Sequence, residues 1–160
     1  MIRKGTFDDA AGIADIFNHY IESSTAIFSN RLRCADDIRE QLTPVVGHYP
    51  FYIAEEDGVI TGYCYAHAFH PDPVYDATWE ITIYLHHNYT GRGTGRRLLE
   101  SVISEARIMG AHTLVSCITD GNEACERLHK GTGFERVGVI RDAGYKFGRY
   151  LNDVFYQKIL

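Results

Sequence analysis

Apolar residues recur at helical spacing at Ile13, Ile16, Phe17, Tyr20 and Ile21, behind the cap-type residues Thr6 to Asp9. The pattern predicts a short strand over Ile2 to Lys4 followed by an amphipathic helix. Ile38 and Leu42 share one side of a second helix, Ala35 to Leu42, that stops near Pro44, while Ser23 to Arg33 shows no period and reads as a connection. Phe51 to Ala54 and Val59 to Phe69 are rich in aromatic and β-branched residues, and the Asp57-Gly58 step between them predicts a β-hairpin. His70-Pro71-Asp72-Pro73 breaks the chain, because proline removes ladder donors and restricts the residue before it. Thr78 to Leu85 then resumes as a strand with Trp79, Ile81, Ile83 and Leu85 on one face and Glu80, Thr82 and Tyr84 on the other. A carboxylate on that second face is the unusual feature.

The strand runs into Tyr89-Thr90-Gly91-Arg92-Gly93-Thr94-Gly95-Arg96-Arg97, after which Leu98, Leu99, Val102, Ile103 and Ala106 take up helical spacing. Gly110 ends that helix, Leu114 to Ile118 reads as a buried strand, and Asn122 to Lys130 as a helix closed near Gly131 and Gly133. Phe134 to Ile140 and Leu151 to Ile159 are the last strands. No repeat, low-complexity tract or linker interrupts the order, so residues 1–160 read as one α/β domain built on a mixed sheet.

Composition narrows the partners. Sixteen basic against twenty-one acidic residues give a formal charge of −5, which offers no general attraction to nucleic acid or to an anionic membrane surface. The N-terminus has no apolar run of a secretory signal and no window approaches a membrane span, so the expected address is the cytoplasm. Cys34, Cys64, Cys117 and Cys125 form no CxxC pair and read as free thiols. The adjacent His86 and His87 cannot easily face one ion, and no metal is expected.

Gly91, Gly93 and Gly95 at the start of a helix let backbone N–H groups converge on a phosphate. A Walker loop needs Gly-Lys-Ser/Thr, and Arg96-Arg97 follows Gly95 instead. The dinucleotide fingerprint fails as well, since Arg96 stands where its third glycine belongs. The window Thr90-Gly91-Arg92-Gly93-Thr94-Gly95 instead resembles the Gln/Arg-x-x-Gly-x-Gly/Ala loop of the GNAT acetyltransferase superfamily, with Thr90 in place of the first Gln or Arg. The resemblance is specific to the phosphinothricin acetyltransferase-like branch. It is carried by Val74-Tyr75-Asp76, by Trp79 to Leu85, by Asn122 to Phe134 (NEACERLHKGTGF) and by Val137-Gly138 with Gly144 to Gln157, in collinear order along nearly the whole chain.

The resemblance implies a twisted mixed sheet flanked by about four helices and splayed at its centre, where acetyl-pantetheine lies as a pseudo-strand. It also implies acetyl-CoA as co-substrate, a small-molecule amine as acceptor and a homodimer. Thr90, Gly91, Arg92, Gly93, Thr94, Gly95 and Arg96 would hold the diphosphate, Asn122 the pantetheine arm, and Ile83, Tyr84 and Leu85 the backbone donors for developing negative charge; Cys125 would face the cofactor from the helix. Acetyl transfer needs a neutral amine, so a base must take a proton; Glu80 is the candidate by its strand position and matches the family's catalytic glutamate. His129 stands where many superfamily members have a tyrosine and the branch has histidine, and it is open to a role as acid, as second base or as partner of Glu80. Direct transfer without an acyl-enzyme is expected.

The acceptor pocket is expected from Phe28, Arg31, His67, His70, Tyr75, Lys146 and Arg149. Branch members acting on phosphinothricin or methionine sulfone carry Lys or Arg before the glutamate strand, whereas this chain has His70-Pro71-Asp72. The carboxylate of an amino acid would therefore fall to Arg31, Lys146 or Arg149. Two other readings stay open: another small amine, such as a polyamine or antibiotic drawn by Asp72 and Asp76, and a CoA-binding regulatory module without turnover.

Overall fold

A computed structural model describes residues 1–160. Strands β1 (Ile2–Lys4), β2 (Phe51–Glu56), β3 (Val59–Ala68), β4 (Thr78–Leu85), β5 (Thr113–Thr119), β6 (Glu135–Lys146) and β7 (Arg149–Ile159) form one sheet in the order β1-β2-β3-β4-β5-β7-β6. Every neighbouring pair is antiparallel except β4 with β5, which is parallel. Helices α1 (Ala10–Ser23) and α2 (Ala35–Leu42) precede β2; α3 (Thr94–Ile108) links β4 to β5, and α4 (Glu123–Gly131) follows β5.

The two faces carry separate cores. On one, Tyr63, Tyr65, Phe51 and Ile53 pack against Ile13, Ile16, Ile38 and Leu42 of α1 and α2. On the other, Cys64, Ala66, Trp79, Ile81 and Leu114 pack against Leu98, Leu99, Val102 and Ala106 of α3. Burying two apolar stripes on opposite faces of one sheet is the ordinary way such layers are stabilised.

The parallel pair decides where a site can form. β4 and β5 are in register only over Thr78–Glu80 and Thr113–Val115. Beyond Glu80 and Val115 they part, so the last five residues of β4 and the last four of β5 face a gap with no ladder bonds across it. The splay implied by the family resemblance is present.

The C-terminal hairpin is longer than the apolar pattern predicts: β6 runs on to Lys146 and β7 begins at Arg149. Two register shifts, at Arg136/Gly138 and Ile140/Gly144, absorb the polar stretch Arg141 to Ala143, and Asp142 takes a positive φ of 52°. Phe147 and Gly148, at φ 51° and 74°, close the hairpin in two residues. β6 is almost wholly exposed, so no in-out alternation marked its extent.

Candidate active site

A cavity of about 470 Å³ fills the gap between the splayed strands. Its walls come from Glu80 to Leu85 on β4, Ser116 to Thr119 on β5, the glycine loop, and the α4 residues Asn122 to His129 that face it. The glycine loop can form because Gly91 and Gly93 hold φ of 75° and 78°, a region that costs other residues about 1 kcal/mol or more. Gly93 caps α3, leaving the first-turn amides of Thr94, Gly95 and Arg96 without helical acceptors at the end of the cavity that Gly93, Gly95 and Arg96 line. Asn122 caps α4 through its side-chain oxygen, which accepts from Cys125 N at 3.3 Å.

Most of the expected cofactor residues converge here: Ile83, Tyr84, Leu85, Thr90, Gly91, Gly93, Gly95, Arg96, Asn122 and Cys125 all line the cavity. Arg92 and Thr94 do not; Arg92 turns outward to Glu56 at 3.5 Å. The Arg96 guanidinium donates to Gly131 O at 2.6 Å and Glu100 Oε1 at 3.1 Å, so it ties the end of α4 to the first turn of α3. Sequence reasoning missed Tyr20, Ala26, Ser116, Cys117, Thr119 and Arg127, which also line it. The β5 members could have been found from the parallel pairing of β4 with β5, which the sequence does not spell out.

Glu80 is half-buried at the fork itself, paired in register with Val115 on β5 and His67 on β3. By strand alternation its side chain shares the α1 and α2 face with Tyr65, His67, Tyr84, Cys117 and Thr119. His129 is on the other side of the sheet. It is 1% exposed, its Nε2 accepts from Ser116 Oγ at 2.9 Å, and its Nδ1 donates to Cys125 O at 2.8 Å. Burial holds its pKa below the usual value, against the opposing effect of the bond to the Cys125 carbonyl, so the imidazole is neutral. His129 makes no hydrogen bond to Glu80: both its ring nitrogens are taken, Val115 and Ser116 point their side chains to opposite faces, and the two groups line the same cavity from opposite sides of the splay. Burial pushes the Cys125 thiol up to about 12, which leaves no thiolate to act as nucleophile.

The expected acceptor residues are dispersed, and of them His67 is in register with Glu80. His67 lies beside Tyr65 with ring centroids 5.9 Å apart, and Tyr75 packs on His70 at 4.7 Å. Phe28 borders a separate pocket of about 330 Å³ with Ser29, Asn30 and Ala143 to Lys146. Two expectations for the acceptor carboxylate need correcting. Lys146 is 4% exposed and donates to Ser24 O at 2.7 Å and Ile27 O at 2.9 Å, so its ammonium is spent on backbone carbonyls. Arg31 turns to Asp37 on α2 at 2.8 Å. Arg149 is exposed, makes no ion pair, and is paired in register with Lys146 on the same face.

The cavity suits acetyl-CoA on its own terms: unpaired strand edges for an extended amide-bearing arm, and a glycine cradle at a helix N-terminus for the diphosphate. No cluster of His, Cys, Asp or Glu fit for a metal ion is present. A fold with a splayed parallel pair and a phosphate cradle at the strand-to-helix turn defines the class, and the comparisons agree. Residues 2–155 match the family model described as acetyltransferase (GNAT) domain. Phosphinothricin N-acetyltransferase of Streptomyces viridochromogenes is 33% identical over 98% of this chain and 86% of its own length. The L-methionine sulfoximine/L-methionine sulfone acetyltransferase of Salmonella typhimurium is 35% identical over 98% and 92%. The crystal structure of a phosphinothricin acetyltransferase from Sinorhizobium meliloti in complex with acetyl-CoA superposes with a TM-score of 0.96 at 26% identity, covering 100% of this chain and 88% of that one. The chain belongs to the GNAT acetyltransferase family. It is an acetyl-CoA-dependent N-acetyltransferase.

Proposed function

We propose that the protein moves acetyl from acetyl-CoA directly to the primary amine of a small amino acid or analogue, of the kind represented by phosphinothricin and methionine sulfoximine or sulfone. The relatives named for those acceptors support the substrate class. The observation that carries the mechanism is the position of Glu80, at the point where β4 and β5 part and on the face away from α3 and α4.

Acetyl-CoA supplies the activated thioester; the chain supplies geometry and proton handling. The amides of the glycine loop and Asn122 anchor the cofactor's arm, and those amides of the Ile83 to Leu85 stretch that point away from β3 meet negative charge as it develops on the acetyl oxygen. The amine enters from the α1 and α2 face, where Glu80 takes its proton directly or through one water. Of the roles open to His129, a neutral imidazole whose Nε2 already accepts a proton bond supports a base acting through Ser116, not an acid. Phe28, His67, His70 and Tyr75 form the apolar and aromatic side of the acceptor site, and Arg149 takes its carboxylate.

Two copies pair through the exposed β6–β7 hairpin, where Val137, Ile140, Phe147 and Tyr150 are each more than half exposed. Sedimentation of the purified chain at the dimer mass supports this arrangement, and a monomer rules it out. Four free cysteines suit the reducing cytoplasm as its location.

Glu80→Gln tests the mechanism. Free CoA release is expected to slow about 10²- to 10³-fold in kcat/KM, in the range of a lost general base, while acetyl-CoA binds as before. Undiminished turnover removes Glu80 from the chemistry.

A further inference from the structure

The connection from Ser23 to Arg33, featureless as sequence, makes a dense set of bonds in the fold. Four consecutive carbonyls, Ser24 to Ile27, each accept from a side chain of a strand. Ser24 and Ile27 accept from Lys146 Nζ on β6, at 2.7 and 2.9 Å. Thr25 accepts from Thr119 Oγ1 on β5 at 2.7 Å, and Ala26 from the Tyr84 hydroxyl on β4 at 3.3 Å. Tyr84 and Thr119 are the same number of residues beyond the last bonded pair, Glu80 and Val115, so they face each other across the gap at one height. Ala26 itself lines the cavity.

We propose that the Ser24–Ile27 turn is a strap that joins the two splayed strands and sets the width of the gap, with Lys146 as the positioning residue that fixes the strap. The proposal rests on the reading that this gap receives acetyl-CoA. Nothing in the sheet ladder holds β4 and β5 at a fixed distance past the fork; two side-chain bonds to adjacent carbonyls of one turn do. Lys146 reaches the turn from the hairpin without lining the cavity, and no carboxylate pairs with it. Its charge is met by carbonyls and by the Phe147 ring, whose centroid is 5.0 Å from Nζ, close to the C-terminal end of α1, where a cation is favoured. The same turn leads into Phe28, so the strap also connects the acceptor side to the width of the cofactor gap.

A bridge fails when either end is released, and this gives a test that separates it from two independent contacts. Calorimetric titration with acetyl-CoA is made on the wild type, Thr119→Val, Tyr84→Phe and the double variant. Each single variant is expected to weaken Kd about three- to tenfold, the net worth of one hydrogen bond, and the double variant is expected to be no weaker than the poorer single one. Multiplying effects in the double variant overturn the strap, because they mean each group contacts the cofactor by itself. Lys146→Met should weaken Kd by a similar factor although it lies outside the cavity, and Lys146→Arg should recover part of it; unchanged binding in Lys146→Met, checked as folded by its thermal transition, also overturns the proposal. If Lys146→Met does not fold, the Thr119 and Tyr84 cycle decides alone. A wild type that does not bind acetyl-CoA refutes the reading of the gap, an outcome distinct from multiplying effects in a wild type that does.

Discussion

Replacing His129 with leucine isolates what the buried imidazole does for the wall of the active site. The substitution keeps an apolar side chain of similar bulk between Phe134 and Tyr156, whose rings lie 5.0 and 6.2 Å from the imidazole centroid. It leaves the Ser116 hydroxyl, in a residue only 2% exposed, without its acceptor. An orphaned buried hydroxyl costs about 1–3 kcal/mol, and the lost ring contacts with Phe134 add about 0.5–1.5 kcal/mol. A loss of about 2–3 kcal/mol in a chain of this length lowers Tm by roughly 4–12 °C. Thermal unfolding followed by circular dichroism reads it. Adding Ser116→Ala to His129→Leu removes both partners and should restore about 1 kcal/mol or more. A Tm drop below about 2 °C, or a double variant worse than the sum of the single ones, refutes the account of His129 as the bond between α4 and β5.

The same residue sets an acid limit. Its folded pKa is lowered by burial, so the neutral form is favoured in the fold; the stability this contributes is fully present above the unfolded value near 6.5 and is lost as pH falls through the folded one. Wild type should therefore lose more stability than His129→Leu when denaturant melts are compared at pH 7.5 and about 5, and parallel losses contradict the assignment. Arg149→Ala should raise KM about tenfold or more for an amino-acid acceptor, the worth of a charge-assisted pair, and leave KM unchanged for the matching amine that lacks a carboxylate. Equal effects on both acceptors place the carboxylate contact elsewhere.

The parts of the fold most legible in sequence are those where a local rule and the final environment agree. The Asp57-Gly58 turn, the α3 stripe from Leu98 to Ala106 and the alternation through Trp79 to Leu85 each announce themselves, and Glu80 stood out because it breaks the apolar expectation of an inner strand. The glycine loop was legible for the same reason: positive φ at Gly91 and Gly93 is a backbone demand that only the residue type can meet cheaply. What the sequence hid depends on distant partners. β6 carries no alternation because both its faces are exposed, and its bulges are set by the register of β7. Lys146 reads as a free cation by type, yet its ammonium is placed by a turn more than a hundred residues away in the chain. His129 matched a family position, but which face of the sheet it occupies follows from strand pairing and α4 packing, neither of which is written in its neighbours.

The central claim is that acetyl leaves CoA in the gap between β4 and β5 and arrives on the amine of an amino-acid-like acceptor. Incubating the purified protein with acetyl-CoA and methionine sulfoximine, then analysing the small molecules by mass spectrometry, tests it directly. The account predicts one acetyl group on the acceptor's amine for each CoA released, and loss of that product in Glu80→Gln. Acetyl-CoA consumed with the acceptor unmodified, or acetylated acceptor formed undiminished by Glu80→Gln, contradicts it.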